Sequence, residues 1–170
     1  AGIERLYIGR FGQRFVRGHN GPMVGFLLDH PQLQDVITVS PDLKTARGRF
    51  RSVMQAGLHK SVRDTFPGKV SYEQWWEGGV YENRYVNENG VWKFQRLEYR
   101  PVWHGEYAKG WANTDPATAV IPTRTYPDDP YGPDEIIGDF ALFPNTDTIP
   151  FHYPHPVTGQ EWDPAAGKAI

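Results

Sequence analysis

The dipeptide Asn89-Gly90, set between two alternating runs, is the feature that most constrains how this chain can fold. A type I′ turn needs positive φ at both central residues, and Asn-Gly adopts it readily. The alternation on either side predicts two strands, residues 75–88 and 91–103, that form a hairpin. Because a two-residue turn sets the register, the pairing of the whole hairpin follows from it.

That register places aromatic and polar side chains on one face. The predicted cross-strand pairs are Tyr85 with Phe94, Asn83 with Arg96, and Tyr81 with Glu98. Gly78-Gly79 predicts a bulge or sharp bend in the first strand. A concave sheet with aromatic walls and a few polar groups is typical of a small-molecule site, and a desolvated carboxylate can serve as acid or base. The same pairs are equally compatible with ordinary cross-strand packing.

The chain before the hairpin predicts one helix and two further strands. Apolar spacing in residues 2–15 favours a short amphipathic helix. Residues 32–40 and 45–57 are strand-like and are joined by a Ser-Pro-Asp turn. Along the second of these strands, three arginines alternate with smaller or apolar residues, and a solvated row is the simplest interpretation: Arg47, Arg49 and Arg51.

Proline-rich sequence from about residue 111 onward predicts one domain, residues 1–113, followed by an extended tail, residues 114–170. The tail is too apolar for a free linker, so we expect it to dock on the sheet or on a neighbouring subunit. The apolar residues that indicate docking include Phe140, Leu142 and Phe151. His152 and His155 match no familiar metal-ligand spacing, so packing of the tail is favoured over a metal site.

The composition of the chain limits the classes of partner it can bind and the kinds of chemistry it can carry out. The formal net charge is −2 with charges of both signs interspersed, which gives no footprint for nucleic acid or for a membrane surface. The chain has no cysteine, which excludes disulfides and thiolate chemistry, and a cytoplasmic location is the default expectation. Motifs of hydrolase triads, phosphate loops and dinucleotide folds do not occur.

The order of elements resembles the SnoaL-like branch of the nuclear transport factor 2-like superfamily. The likeness is carried by HPQLQDVITVSPDLKTARGRFRSVMQAG, by WEGGVYENRYVNENGVWKFQRLEY and, in the tail, by PFHYPHPVTG. The resemblance implies an α+β fold: a cone-shaped, strongly curved antiparallel sheet packed on helices, with a ligand cavity at its mouth and homo-oligomers, dimers or trimers, formed through the sheet. Family members normally begin with two more helices, so this chain opens at what resembles the third, and we expect either a fragment or another segment that supplies the missing wall.

The resemblance also implies a function and a place for His30 in the cavity, with a structural histidine bound by backbone groups as the alternative role of this residue. We expect a cofactor-independent enzyme, lyase- or isomerase-like, that acts on a hydrophobic aromatic substrate. Some members of this branch release formaldehyde or water from lignin-derived diaryl compounds. The predicted catalytic residues are His30, Tyr81 and Glu98. The predicted substrate-binding residues are Phe50, Met54, Trp76, Asn83, Arg96 and Tyr99.

Two other functions stay open at this point. The superfamily also contains carriers and scaffolds, so a non-catalytic ligand-binding or assembly module is the main alternative. A dioxygenase small subunit shares the fold class and would need a large metal-bearing partner chain.

Overall fold

The computed structural model describes residues 1–15, 21–66, 73–119, 121–138 and 141–167. One α-helical turn, Gly2–Glu4, runs into a π-helical stretch, Arg5–Phe15, so the predicted N-terminal helix is confirmed. Six strands follow: β1 (Phe26–Asp29), β2 (Gln32–Val39), β3 (Thr45–Leu58), β4 (Gln74–Glu88), β5 (Val91–Arg96) and β6 (Tyr99–Glu106). Short 3₁₀ turns lie at Pro116–Thr118 and Pro164–Gly167.

All six strands form one antiparallel sheet around the long central pair β3 and β4. On its other edge, β3 pairs with β2 along its first half and with β1 along its last residues. The other edge of β4 pairs with β6 and then with β5. The sheet curls strongly into a half-barrel with few helices, so the predicted α+β cone is confirmed. β1 was not predicted from the sequence.

The Asn-Gly turn is confirmed, with φ of 55° at Asn89 and 84° at Gly90. The predicted register holds from the turn as far as Tyr85 and Phe94. It then shifts by one residue, and Arg96 lies opposite Arg84. A bulge inserts one extra residue into one strand, and each one-residue slip sends the following side chains to the other face. The predicted pairs Asn83 with Arg96 and Tyr81 with Glu98 are therefore wrong.

The second hairpin strand was predicted to be continuous, and this is also wrong. It ends at Arg96 and resumes at Tyr99, which pairs with Tyr81. The predicted irregularity at Gly78-Gly79 is confirmed, because the β4–β6 register shifts there. A Cβ at Gly78 would lie 2.1 Å from Nε1 of Trp103, so the indole can cross the strand only where a side chain is missing.

The sheet has two faces that differ in what covers them. On the inner face, even-numbered residues of β3 lie beside odd-numbered residues of β4, and most of the buried apolar side chains lie here: Ala46, Met54, Ala56, Leu58 and Tyr81. On the outer face lie the arginine row of β3 and the even-numbered residues of β4. Positions Arg47 and Arg51 are exposed there, in keeping with a solvated row.

Arg49 departs from that solvated row because the tail covers it. Its guanidinium donates to the carbonyl oxygens of Ile149 and Pro150 and lies 4.1 Å from the centre of the Phe151 ring. The tail also meets the sheet where the Phe143 backbone N–H donates to the Val102 carbonyl. These contacts place tail residues on the outer face of this same chain. Phe140 lies outside the described residues.

Candidate functional site

His30 and Tyr81 meet on the inner face of the sheet. His30 directly follows β1, and its Nδ1 lies 3.1 Å from the hydroxyl of Tyr81 on β4. Either ring tautomer can make this hydrogen bond, since a phenol both donates and accepts. His30 is half-buried and Tyr81 is buried. The other ring nitrogen, Nε2, makes no hydrogen bond to any residue that the structure describes, so it is the nitrogen open to a ligand.

A second set of polar groups continues from this contact. The ring of Tyr99 lies 4.7 Å from that of Tyr81 and 5.9 Å from that of His30, between centres. The Tyr99 hydroxyl donates to Oε1 of Glu77 at 2.9 Å, and Oε2 of Glu77 lies 3.3 Å from Nδ1 of His104. We call these five residues the inner cluster: His30, Glu77, Tyr81, Tyr99 and His104.

Burial shifts the pKa of three side chains in the inner cluster: His30, Tyr81 and Tyr99. Desolvation lowers the pKa of His30 below its ordinary value, and the negative charges of Glu77 and Asp29 oppose that shift. Desolvation also raises the pKa of Tyr81, with smaller contributions from Tyr7 and Glu77, and it raises that of Tyr99. At neutral pH the cluster therefore presents a neutral imidazole beside two protonated phenols. Such a set can move a proton without a cofactor.

Two predicted substrate-binding residues lie beside the cluster on the same face. Phe50 is opposite Tyr81 in the β3–β4 ladder, and Met54 is opposite Glu77. Asn83 points to this face too, but both ends of its amide are used within the chain. Nδ2 donates to the Tyr85 hydroxyl, and Oδ1 accepts from the Glu98 backbone N–H. Because only 1% of its surface is exposed, Asn83 stabilises the hairpin and does not face a ligand.

The structure does not bring Glu98 and Arg96 to the inner cluster. The Glu98 carboxylate accepts from Nε of Arg96 and from Nε of Arg100, at 2.9 and 2.8 Å. Arg96 lies opposite Arg84 and Arg100 opposite Val80, and both of these β4 residues belong to the outer face. The bulge in the hairpin is the physical reason, because it reverses the alternation after Phe94. Glu98 thus joins a charged group outside the cone.

Trp76 also lies away from the inner cluster. It is an even-numbered residue of β4 and is on the outer face, whereas Tyr81 is on the inner face. Its indole stacks on Tyr107 at 5.7 Å and meets Trp111 edge-on at 6.4 Å, between ring centres. It belongs to an aromatic group near the end of the sheet and is separate from the inner cluster.

Sequence reasoning missed Glu77 and His104. Glu77 shares the odd-numbered alternation of Tyr81, so extending the period of two past the glycine pair would have included it. His104 gave no comparable signal. It lies opposite Glu77 only because the register shifts between Gly78 and Gly79, and the sequence does not specify the size of that shift.

On the outer face, one carboxylate binds two cationic or polar side chains. Glu82 pairs with Arg49 through one carboxylate oxygen and with Nδ1 of His152 through the other, the latter at 2.9 Å. His152 is 1% exposed, and its Nε2 lies 3.4 Å from the Thr38 hydroxyl. We call Arg49, Glu82 and His152 the outer cluster. Among the described residues, no group of three or more histidine, aspartate and glutamate side chains is placed to hold a metal ion.

A curled antiparallel sheet with aromatic and acid-base side chains on its concave face defines a cone-type ligand-binding domain. Residues 8–98 match the family model of the SnoaL-like domain. Because this match covers more than half of the chain, the protein belongs to that family, a SnoaL-like branch of the nuclear transport factor 2-like superfamily. No curated protein matches the chain. Within its described part, the chain has no helix both long and apolar enough to span a bilayer.

Proposed function

We propose that this protein is a lyase- or isomerase-like enzyme that moves a proton on a hydrophobic aromatic small molecule, with His30 as the acid-base residue. The observation that carries the proposal is the 3.1 Å contact between Nδ1 of His30 and the Tyr81 hydroxyl. This contact orients the ring and leaves Nε2 open. The lowered pKa of His30 keeps the ring neutral at pH 7, which is the form a general base needs.

The geometry supports a concrete proton path for the loss of water. With Nδ1–H donating to the Tyr81 oxygen, the lone pair on Nε2 removes a proton from a substrate carbon. The electron pair of that C–H bond forms a double bond as the adjacent C–O bond breaks. Tyr81 gives its proton to the departing oxygen and regains one from Nδ1, so water leaves and His30 ends neutral, protonated on Nε2. In an isomerase the removed proton would return to a different substrate atom.

The surroundings of the cluster support an aromatic substrate. Tyr99 and Phe50 flank Tyr81, and Met54 lies beside Glu77, so the reacting groups are bordered by rings and a flexible thioether. Lignin-derived diaryl compounds that lose water or formaldehyde are the substrate class we propose. A cytoplasmic location remains the proposal from the sequence.

Replacing the two reacting side chains tests the proposal. We expect His30→Ala to lower kcat on diaryl diols by about 10²- to 10⁴-fold, the usual range for loss of a general base. Tyr81→Phe should also lower kcat, because it removes the proton donor while keeping the ring. His155→Ala is the matched control, since His155 is an exposed residue of the tail whose Nδ1 accepts only from nearby backbone N–H groups. Full rates in both inner variants would refute the assignment.

The alternative function is a ligand carrier without chemistry. It is supported by polar groups of the inner face that already have partners within the chain. Both ends of the inward-facing Asn83 amide already have hydrogen-bond partners within the chain. This alternative predicts that aromatic ligands bind to wild type and to His30→Ala alike, with no conversion of any of them. Product analysis by mass spectrometry after long incubation separates it from the enzyme.

We also propose a homo-oligomer, a dimer or trimer, formed through β2. All eight residues of β2 are exposed, although apolar side chains lie on both of its faces: Leu33, Val36, Ile37 and Val39. An edge strand of this kind offers unpaired backbone groups and apolar surface to a second copy. Light scattering of wild type and of Ile37→Lys tests this, and a wild-type monomer at high concentration would contradict it.

A further inference from the structure

A groove of about 650 Å³ lies where β3 ends and β4 begins, at the end of the sheet. Its walls are mainly apolar and aromatic, and they include Phe26, Ala56, Leu58, Trp75, Trp76 and Tyr107. The groove shares no residue with the inner cluster. Its volume is in the range of ordinary small-molecule sites.

The groove takes walls from both faces at the end of the sheet, and its inner-face wall Trp75 lies on β4, the strand that carries Glu77 and Tyr81. Trp75 and Glu77 both lie on the inner face of β4, two residues apart, which is about 7 Å along a strand. Phe26 lies in the groove at the start of β1, and His30 directly follows the end of that strand. The two residues are four positions apart, roughly 13 Å in an extended chain. One elongated molecule of two rings can therefore reach from the groove to His30.

The rim of the groove carries positive charge from the turn that follows β3. It holds His59, Lys60 and Arg63 against the single carboxylate of Glu73. Arg63 forms an ion pair with Glu73 at 2.6 Å, so these two charges offset each other. The Lys60 ammonium forms no ion pair or hydrogen bond with a described residue, so no described carboxylate pairs with its charge.

His59 adds a hydrogen-bond donor at the same rim. Its Nδ1 accepts from the Ser61 backbone N–H at 3.2 Å. A neutral ring that accepts at Nδ1 carries its proton on Nε2, so the free nitrogen is a donor. The turn is held beside β1, because the His59 backbone N–H donates to the Gly25 carbonyl at 2.8 Å. The rim thus combines a lysine cation and an N–H donor next to aromatic walls.

We propose that this groove binds the acid end of an elongated aromatic carboxylate, with the carboxylate at Lys60 and one ring along Trp75, while the far end reaches His30. The inference rests on the proposed function and adds to it the substrate class, an aromatic acid instead of a neutral aromatic compound. Charge complementarity selects the acid, and the span between groove and cluster selects a molecule with two rings.

Calorimetric titration with biphenyl-4-carboxylate and with the uncharged biphenyl-4-carboxamide tests the proposal. We expect wild type to bind the carboxylate more tightly than the amide. Lys60→Gln should weaken binding of the carboxylate about fivefold or more, as for loss of a partly exposed charge contact, and leave the amide unchanged. Lys44→Gln, in the exposed turn between β2 and β3, is the matched control and should change neither affinity.

A second variant tests the aromatic wall. Trp75→Leu should weaken both ligands by a similar factor, with far-UV circular dichroism confirming that the variant is folded. Equal affinity of wild type for acid and amide, or equal behaviour of Lys60→Gln and Lys44→Gln, would overturn the proposal. If His30→Ala loses turnover while Lys60→Gln changes nothing, only this inference fails. If Lys60→Gln weakens the acid while His30→Ala turns over normally, the acid-base proposal fails instead.

Discussion

The inner and outer clusters each contain histidine and glutamate and lie on opposite faces of one sheet, yet they differ in which hydrogen-bonding groups already have partners. In the outer cluster, both carboxylate oxygens of Glu82 are taken, by Arg49 and His152. In the inner cluster, His30 uses one nitrogen on Tyr81 and leaves the other open. A histidine is thus a structural tie in one place, where it pairs with a carboxylate, and a candidate acid-base group in the other, where it pairs with a phenol.

Residue type therefore does not distinguish a structural histidine from a candidate catalytic one, whereas the hydrogen-bonding capacity left on the ring does. The tail supplies His152 and the carbonyl groups that complete the outer cluster. Buried charges are tolerated where every partner is present, and they destabilise the fold when one is removed. The comparison therefore predicts large effects on stability outside the cone and large effects on turnover inside it.

The largest expected effect on stability is at Glu82. Glu82→Ala leaves Arg49 and His152 without their shared carboxylate, each about a tenth exposed or less, and should lower the free energy of unfolding by about 3 kcal/mol. Urea denaturation measures it. The control is Glu88→Ala, whose ion pair with Lys93 is more than half exposed and should be worth less than 1 kcal/mol. Equal losses in the two variants would contradict the assigned role of the outer cluster.

Asn83 should behave like the outer cluster although it points inward. Asn83→Ala removes hydrogen bonds to the Tyr85 hydroxyl and the Glu98 backbone N–H in a fully buried place, and we expect a loss of about 2 kcal/mol in unfolding free energy. The rate per folded molecule should fall much less than in His30→Ala. A fall in kcat as large as that of His30→Ala, with unchanged stability, would instead make Asn83 a member of the site.

The pH dependence of turnover distinguishes the inner cluster from the outer cluster. If neutral His30 is the base, the rate should fall as pH falls through its pKa, which lies below the ordinary value of 6.5. Glu77→Gln removes a charge that raises this pKa, so the acid limb should move to lower pH. Glu82→Gln, on the outer face, should leave the limb in place. A shift in the opposite direction for Glu77→Gln would exclude His30 as the titrating group.

The same lowered pKa affects stability. The unfolded chain holds a proton on His30 more tightly than the folded chain does, so the contribution of neutral His30 is present above pH 6.5 and is lost as pH falls through the folded pKa. His30→Gln should make the unfolding free energy less sensitive to acid. Unfolding curves of both proteins collected across this pH range measure the difference, and identical slopes would contradict the burial of His30.

The smallest expected effect is at Thr38. Its hydroxyl lies 3.4 Å from Nε2 of His152, a long and exposed contact, so Thr38→Val should change the unfolding free energy by about 0.5 kcal/mol or less. Urea denaturation of Thr38→Val and Glu82→Ala in parallel compares how much each contact of His152 contributes to the free energy of unfolding. A loss as large as that of Glu82→Ala would show that the threonine, and not the carboxylate, anchors the tail.

Much of the fold could be predicted because its signals are local. The positive φ required at Asn89 and Gly90 selects the turn, and a period of two identifies the long strands. Tyr81 and His30 were candidates from the sequence and do meet in the structure. Glu98 and Arg96 were assigned to the same face by counting through a bulge that the sequence does not mark.

The hairpin, the alternation of its strands and the aromatic character of the inner face depend on residues that are neighbours along the chain, so they could be predicted from the sequence. The polar groups that share that face are known only from the folded structure. It placed His104 beside Glu77, turned Glu98 outward and covered Arg49 with the tail. Each bulge bends its strand within the curled sheet and reverses the side-chain alternation that follows it, so the side chains that share a face cannot be counted along the chain alone.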